Sequence, residues 1–202
     1  MSTGQANNVH AIRNPPTPRQ LNLGCGRFPK EGFVNVDWAA APGVDVIHDL
    51  TALPYPFEDS TFERIEADHV LEHLPQVFEV MAEIHRLLAP GGTLVLRVPH
   101  FSRGFSHPEH KRGFDATFPY YFDPAFPGGF TGTHFICESV RLRWFAQPYL
   151  KKTVLPRPLY DVGRFAGAVI DRAANLSPLV CSRLWCYYVG GFEEIEFVMR
   201  RP

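Results

Sequence analysis

Short apolar runs and one helical stripe alternate along the first half of the chain. Five runs bounded by Gly, Pro or Asp predict strands at residues 21–23, 33–37, 44–48, 62–67 and 93–98. Between the last two runs, apolar residues from Val77 to Leu88 recur every three or four positions, which predicts a helix that ends before Pro90. Strands that alternate with helical segments predict an α/β fold with a mostly parallel sheet.

The second half of the chain carries a different pattern. Residues 140–145 predict a sixth strand, and alternating apolar and polar residues at 194–200 predict a half-buried last strand. Residues 155–190 predict a helical insertion, in which charged residues interrupt the apolar ones too often for a membrane span. Three interpretations of the insertion stay open: packing on its own sheet, a homodimer face, or a groove for a lipid-linked substrate with peripheral membrane contact.

A glycine turn and an acidic residue follow the first two predicted strands. The run LNLGCG at residues 21–26 ends in a Gly-x-Gly turn, and Asp37 ends the second strand eleven residues later. Glycines let a backbone pass close to a ligand, and a carboxylate at that strand end can accept both hydroxyls of a ribose. The pattern therefore predicts a site for a ribose-bearing ligand.

The segment between the turn and Asp37 is too short for a long helix. Pro29 and Gly32 interrupt it, and Phe28 stands where dinucleotide-binding turns have a third glycine. A diphosphate seated on a helix N-terminus is therefore not expected.

Four further segments strengthen this pattern. They are DL at residues 49–50, LPYPF at 53–57, ADHVLEHL at 67–74 and LAPGGTL at 88–94. With the LNLGCG turn, they resemble the class I S-adenosylmethionine (SAM)-dependent methyltransferases of the small bacterial, type 11-like kind, over about half of the chain. The resemblance implies a Rossmann-like three-layer sandwich. Its seven-stranded sheet would be mostly parallel, with an antiparallel last strand beside the fifth.

The resemblance also implies SAM as the cofactor and assigns residues to it. The turn backbone would face the methionine portion, Asp37 the ribose, and Asp49 the adenine amino group. The residues assigned to cofactor binding are Leu23, Gly24, Cys25, Gly26, Asp37, Trp38, Asp49, Leu50, Asp68 and His69. The last two could instead contact the substrate or make only local turn hydrogen bonds.

Length, charge and composition indicate the number of domains, the kinds of partner and the cellular compartment. A chain of 202 residues with a formal net charge of −1 fits one domain and gives no global electrostatic case for nucleic acid. Residues 1–19 are polar and predict a disordered arm without a secretory signal, so a cytoplasmic protein is expected. Residues 20–202 form the predicted domain, with a substrate-side lid at 100–135 and the helical insertion at 155–190. The four cysteines form no CxxC pair and are expected to be reduced thiols.

Nine histidines offer bases for the reaction. An oxygen nucleophile gains from a base that titrates near pH 7, as histidine does. The candidates are His100 after the fifth strand, His107 in the next loop, and His73. The spacing of the histidines at 100, 107 and 110 matches no zinc pattern, so no metal is expected.

The sequence thus predicts a methyltransferase that acts on a small-molecule or sugar-containing acceptor, at oxygen. DNA bases are disfavoured, because the fourth strand ends in ADHV at residues 67–70 and not in the Asn-Pro-Pro-Tyr motif of amino-group methylation. A non-catalytic module of the same fold that binds SAM or a partner protein stays open, because fold does not establish chemistry. An NAD-dependent oxidoreductase is a second alternative, although it should have the third glycine.

Overall fold

The structure, a computed structural model, describes residues 19–104 and 107–202. The predicted arm at residues 1–19 therefore lies outside the described residues, except for Arg19. The guanidinium of Arg19 pairs with the carboxylate of Glu63 at 2.7 Å. The division of the chain into an arm and one domain stays a prediction.

Seven strands form a single sheet in the part of the chain that the structure describes. They are β1 (Gln20–Leu23), β2 (Val34–Asp37), β3 (Val46–Ile47), β4 (Phe62–Asp68), β5 (Leu88–Pro99), β6 (Ile136–Arg143) and β7 (Glu194–Arg200). Their order is β3-β2-β1-β4-β5-β7-β6. Strands β1 to β5 pair in parallel, and β7 pairs antiparallel with both β5 and β6. This confirms the Rossmann-like sheet and the antiparallel last strand beside the fifth.

The helices are a central one, a short one directly after β5, and a C-terminal group. The α-helices are α1 (Val77–Leu87), α2 (Phe101–Gly104), α3 (Pro148–Val154), α4 (Arg157–Ala174), α5 (Pro178–Val180) and α6 (Cys186–Tyr188). Two 3-10 turns cover Leu71–His73 and Phe118–Phe122, and a π-helical turn covers Cys181–Trp185. The helix predicted from Val77 onward is confirmed as α1.

Strand β6 begins and ends earlier than the sequence pattern predicts. Its pairing with β7 starts at Ile136 opposite Arg200 and stops at Arg143 opposite Glu194, so the length of β7 sets its bounds. After Arg143 the chain leaves the sheet. The Trp144 amide then donates to Asp171 Oδ1 at 2.6 Å instead of to β7. Tertiary pairing therefore outweighs the apolar pattern at this strand.

One face of the sheet carries the main core. Its fully buried side chains include Leu21, Ile65, Ala67, Leu94, Leu96 and Phe197. The buried stripe of α1, which includes Val80, Met81 and Ile84, belongs to the same cluster. This packing removes apolar area from water on both elements, which is the main favourable term in folding.

The opposite face of the central strands carries a row of charges. Asp68, Arg97 and Glu196 stand opposite one another on β4, β5 and β7. Arg97 pairs with both carboxylates at 2.7 Å, and Lys30 Nζ reaches Asp68 at 2.7 Å and Glu66 at 2.6 Å. Residues 24–33, which supply Lys30, contain turns and no helix, as the sequence predicts.

Candidate active site

The glycine turn after β1 is tight and open on one side. Gly24 has φ +63°, and a Cβ there would stand 2.5 Å from Val70 Cγ2, so no larger residue fits. Gly26 has φ +52°, and a Cβ there would meet no heavy atom within 4 Å. The Cys25 amide donates to Val36 O at 3.0 Å, which ties the turn to β2. The backbone at Gly26 therefore forms an open cradle that a ligand can approach.

Asp37 joins this cradle from the end of β2. Its Oδ2 accepts a hydrogen bond from the Gly26 amide at 2.7 Å, and the side chain is buried. The neighbouring Trp38 is 78% exposed, so its ring face is available for stacking. Burial, and then the charge of Asp37, raise the pKa of the Cys25 thiol, so this cysteine is not an activated nucleophile. These positions fit the ribose and adenine of SAM, and the roles stay proposals.

The other predicted cofactor residues have structural partners already. Asp49 Oδ1 accepts from the Thr51 amide and hydroxyl at 2.8 Å each, and the backbone bond, the larger cause, lowers the pKa of Asp49. Leu23 and Leu50 are buried in the core. Asp68 is engaged by the charge row of the sheet.

The His69 side chain lies between two carboxylates. It has φ +56°, and its Nε2 lies 2.8 Å from Glu194 Oε2 while its Nδ1 lies 3.3 Å from Glu72 Oε1. Burial opposes a charge on this ring, but the hydrogen bonds to Glu194 and Glu72 outweigh burial and raise the pKa of His69 to about 9. His69 is therefore a cation held between two carboxylates.

A cavity of about 790 Å³ opens beside His69, and we call it the histidine cavity. Four of its lining residues are histidines: His69, His73, His107 and His110. Two contacts seat the loop 107–112 against the segment that follows β4. The Lys111 amide donates to Glu72 O, and Arg112 Nη2 donates to Pro75 O, both at 2.8 Å.

The docked loop brings the histidines together. The ring centroids of His107 and His110 lie 5.9 Å and 4.9 Å from that of His73. The glycine turn packs on Val70, in the same short segment, so the cradle and the cavity adjoin each other. The structure thus unites two of the three predicted catalytic histidines.

His100, the third candidate, lies elsewhere. Its ring is fully buried, with Nδ1 2.6 Å from Ser102 Oγ and Nε2 2.8 Å from Ser182 Oγ. Burial lowers the pKa of His100 to about 4, against a smaller opposing pull from Asp115. A neutral ring with both nitrogens occupied has no free atom for a substrate proton, which argues against His100 as a base.

Sequence reasoning missed Glu72, His110 and Glu194. Glu72 lies inside the ADHVLEHL motif, between His69 and His73, and its spacing on a helical turn was an available signal. His110 was noticed only as part of a linear histidine pattern. Glu194 resembled any polar residue of an alternating strand, and only the sheet places its carboxylate against His69.

The buried state of His100 predicts a pH dependence of stability. With a folded pKa of about 4 and an unfolded pKa of 6.5, His100 binds fewer protons in the folded protein between these values. The free energy of unfolding should therefore fall as pH decreases from 6.5 toward 4. Urea unfolding from pH 4.5 to 7 should show a shallower fall for His100→Gln than for the wild type. His134→Gln is the control, and parallel curves for wild type and His100→Gln would refute this origin.

Comparison with known proteins agrees with this geometry. Residues 28–96 match the family described as "Methyltransferase domain". A stretch of 54 residues is 35% identical to the demethylmenaquinone methyltransferase of Lysinibacillus sphaericus and covers 27% of this chain and 23% of that protein. A stretch of 41 residues is 46% identical to the sterol 4-C-methyltransferase strm-1 of Caenorhabditis elegans and covers 20% of this chain and 12% of that protein. The matches span less than a quarter of these two relatives.

The fold has a solved counterpart. A SAM-dependent methyltransferase from Archaeoglobus fulgidus matches with a TM-score of 0.54 at 17% sequence identity, over 90% of this chain and 85% of that one. At this identity the likeness shows the fold alone. Residues 28–96 therefore match a methyltransferase domain, and the chain as a whole has the Rossmann-like fold of the SAM-dependent methyltransferases.

Proposed function

We propose that this chain transfers the methyl group of SAM to an oxygen of an acceptor that binds in the histidine cavity. The observation that carries this proposal is the adjacency of two sites. The Gly26 cradle with Asp37 belongs to the turn that packs on Val70, and His69 and His73 of the same segment line the histidine cavity. A methyl donor in the first would face an acceptor in the second.

The chain's contribution to such a reaction is mainly positioning. SAM supplies, when bound, a methyl group on a sulfonium sulfur. The residues around the cavity hold the acceptor oxygen in line with that methyl, at roughly 3 Å. The new C–O bond forms as the C–S bond breaks, and the hydroxyl proton of the acceptor must move to a base.

The two cavity histidines suit different parts of this step. His107 Nδ1 accepts the Glu109 amide at 3.3 Å, which places the ring proton on Nε2 and makes His107 a hydrogen-bond donor. His73 also lines the cavity, and its Nε2 lies 4.0 Å from Glu72 Oε1, outside hydrogen-bond distance. We therefore assign proton removal to His73 and orientation of the acceptor to His107.

A second, apolar cavity supports an acceptor with a hydrophobic part. It encloses about 740 Å³, and its lining includes Trp144, Ile170, Leu184, Trp185 and Phe192. The Phe192 amide donates to Ser102 Oγ at 3.1 Å, and Ser102 lines the histidine cavity, so the two cavities are neighbours. A volume of this size suits a small-molecule ligand. The two curated relatives are named for quinone and sterol substrates, which agrees with an apolar acceptor.

Helix α4 presents an apolar stripe to the solvent beside this cavity. Leu159, Val162, Phe165 and Val169 are between 55% and 75% exposed. None of the helices that the structure describes is long and apolar enough to cross a membrane. A large exposed apolar stripe on an amphipathic helix is typical of a segment that lies in the membrane interface.

The charges around the stripe favour an anionic lipid surface as its partner. Lys152, Arg157, Arg164 and Arg172 lie on α3 and α4, while Asp161 and Asp171 are the acidic residues of α4. The carboxylate of Asp171 is already engaged within the protein, because it accepts a hydrogen bond from the Trp144 amide. Basic residues flanking an apolar stripe match the negative cytoplasmic leaflet. We therefore infer that α4 docks the protein on a membrane that holds its acceptor.

Replacing Asp37 tests the cofactor site. Asp37→Ala removes the carboxylate proposed to accept the ribose hydroxyls, and calorimetry should show SAM affinity reduced several-fold or more. Asp123→Ala, which removes an exposed carboxylate that accepts the Ala125 amide, should leave SAM affinity unchanged. Equal affinities for wild type and Asp37→Ala would refute the assignment, as would stabilisation of the wild type by NAD and not by SAM in a thermal shift.

Transfer of labelled methyl groups tests the histidines and the acceptor class. Purified protein with methyl-tritiated SAM and a cell extract should label a product that enters the organic phase. His73→Ala should lower the initial rate at least tenfold. His107→Ala should require more extract for half the maximal rate. His134→Ala is the control. Absence of labelled product with wild-type protein would favour the non-catalytic alternative, and label in the aqueous phase would favour a sugar-type acceptor.

Vesicle binding tests the role of α4. The wild type should co-sediment with phosphatidylglycerol-containing vesicles and only weakly with pure phosphatidylcholine vesicles. The triple variant Leu159→Ser, Val162→Ser and Phe165→Ser should lose this binding, while Phe130→Ser, at another exposed apolar position, should keep it. Light scattering on the same samples addresses the homodimer alternative. A wild-type dimer that the triple variant converts to a monomer would overturn the membrane assignment.

A further inference from the structure

A buried carboxylate stands beside the histidines that line the cavity. The Glu72 side chain is fully buried, and its closest charged partner is the His69 cation, whose Nδ1 lies 3.3 Å from Oε1. Burying a carboxylate in this state is costly unless a cation or a set of donors compensates for it. Two further imidazole nitrogens lie near the same oxygen, His110 Nε2 at 3.9 Å and His73 Nε2 at 4.0 Å from Oε1.

These distances are close to those of a metal site. One ligand atom from each of Glu72, His73 and His110 lies within 4.8 Å of the other two. Ligands bound tetrahedrally at about 2.0–2.1 Å from a zinc ion are roughly 3.4 Å apart. The ligand atoms would therefore need to approach one another by up to about 1.4 Å around an ion. His73 and His110 also line the cavity, which lets an ion enter.

We propose that Glu72, His73 and His110 bind one divalent transition-metal ion, with zinc as the best fit, at the wall of the histidine cavity. Two imidazoles and one carboxylate form a three-ligand set that leaves a fourth position for water or substrate. Imidazole-rich sites suit zinc and its neighbours, whereas magnesium and calcium prefer sites made of oxygen atoms.

Neighbouring groups hold the ligands in place. His69 bridges Glu72 and Glu194, which fixes the position of the Glu72 carboxylate. The ring of His107 stacks on that of His110 with centroids 4.8 Å apart and an interplanar angle of 23°. The backbone bond from the Lys111 amide to Glu72 O keeps the loop that carries His110 beside Glu72. The site is thus built from two chain segments that the fold brings together.

The metal gives the acceptor site a specific chemistry, and this part rests on the proposed function. An acceptor hydroxyl bound at the fourth position would lose its proton more readily, because a metal cation stabilises the oxyanion. The ion replaces proton removal by His73: with the ion bound, His73 is a ligand, and the hydroxyl proton passes to water in the cavity. The site would then select acceptors that present a hydroxyl, such as an enol or phenol.

Zinc binding by the purified chain tests this proposal without reference to turnover. The protein is prepared without a tag and with Cys137→Ser in every sample, because Cys137 is an exposed thiol. Competition with a chromophoric zinc chelator should show one zinc ion per chain. Glu72→Gln and His110→Ala should each weaken zinc affinity at least tenfold. His134→Ala, which removes an imidazole that lies beside His85 and outside the cluster, should stay within twofold of the wild type.

Cobalt provides a second readout that a purely structural role would not change. Co²⁺ at the site should give visible absorption bands of a four-coordinate ion, and Glu72→Gln should lose them while circular dichroism shows that it remains folded. Wild-type protein that binds no zinc, or equal zinc affinity of wild type and Glu72→Gln, would overturn the metal site. SAM affinity, measured on the same samples, is independent of these outcomes. Its absence would defeat the proposed function and leave the metal site standing.

Discussion

The parallel pairing of β4 between β1 and β5 is the constraint on which the site depends. Leu23 stands opposite Ala67, and Asp68 stands opposite Arg97, so the carboxyl ends of three strands meet at one edge of the sheet. The glycine turn, the His69 segment and the start of the loop after β5 all leave from that edge. The close approach of Gly24 to Val70 follows from the same pairing, because it leaves no room for a side chain between the turn and the chain after β4.

The short crossover between β1 and β2 changes how one face of the sheet is covered. Where a long helix would bury apolar residues, Lys30 instead joins the row formed by Glu66, Asp68, Arg97 and Glu196. These charges tolerate partial burial because each side chain of the row has a partner of opposite charge. A ligand with a diphosphate would lose the helix N-terminus that usually binds it. A sulfonium cofactor has no such need, which agrees with SAM in this family.

Charge placement distinguishes the structural histidine from those at the cavity. His100 is neutral between two serine hydroxyls, whereas His69 is positive between two carboxylates. The sequence pattern made His100 a candidate base because it directly follows the fifth strand. Its burial and its two serine partners argue against that role, because a base must present an open nitrogen to its substrate. Placement also gives Glu72 its importance, since its buried carboxylate lies 3.3 Å from the His69 cation and 3.9 Å and 4.0 Å from the imidazoles of His110 and His73.

The sequence by itself determined the order of the motifs that follow successive strands, and it determined helix α1. It also determined the glycine turn at Gly24 and Gly26 and the absence of a long helix between β1 and β2. Each of these follows from local rules: apolar periodicity, the backbone freedom of glycine, and the stiffness of proline. Only the tertiary structure decided the bounds of β6, the burial of His100 and the meeting of Glu72, His73 and His110. These depend on contacts between segments up to tens of residues apart, and linear spacing carries no information about which distant side chains share a cavity.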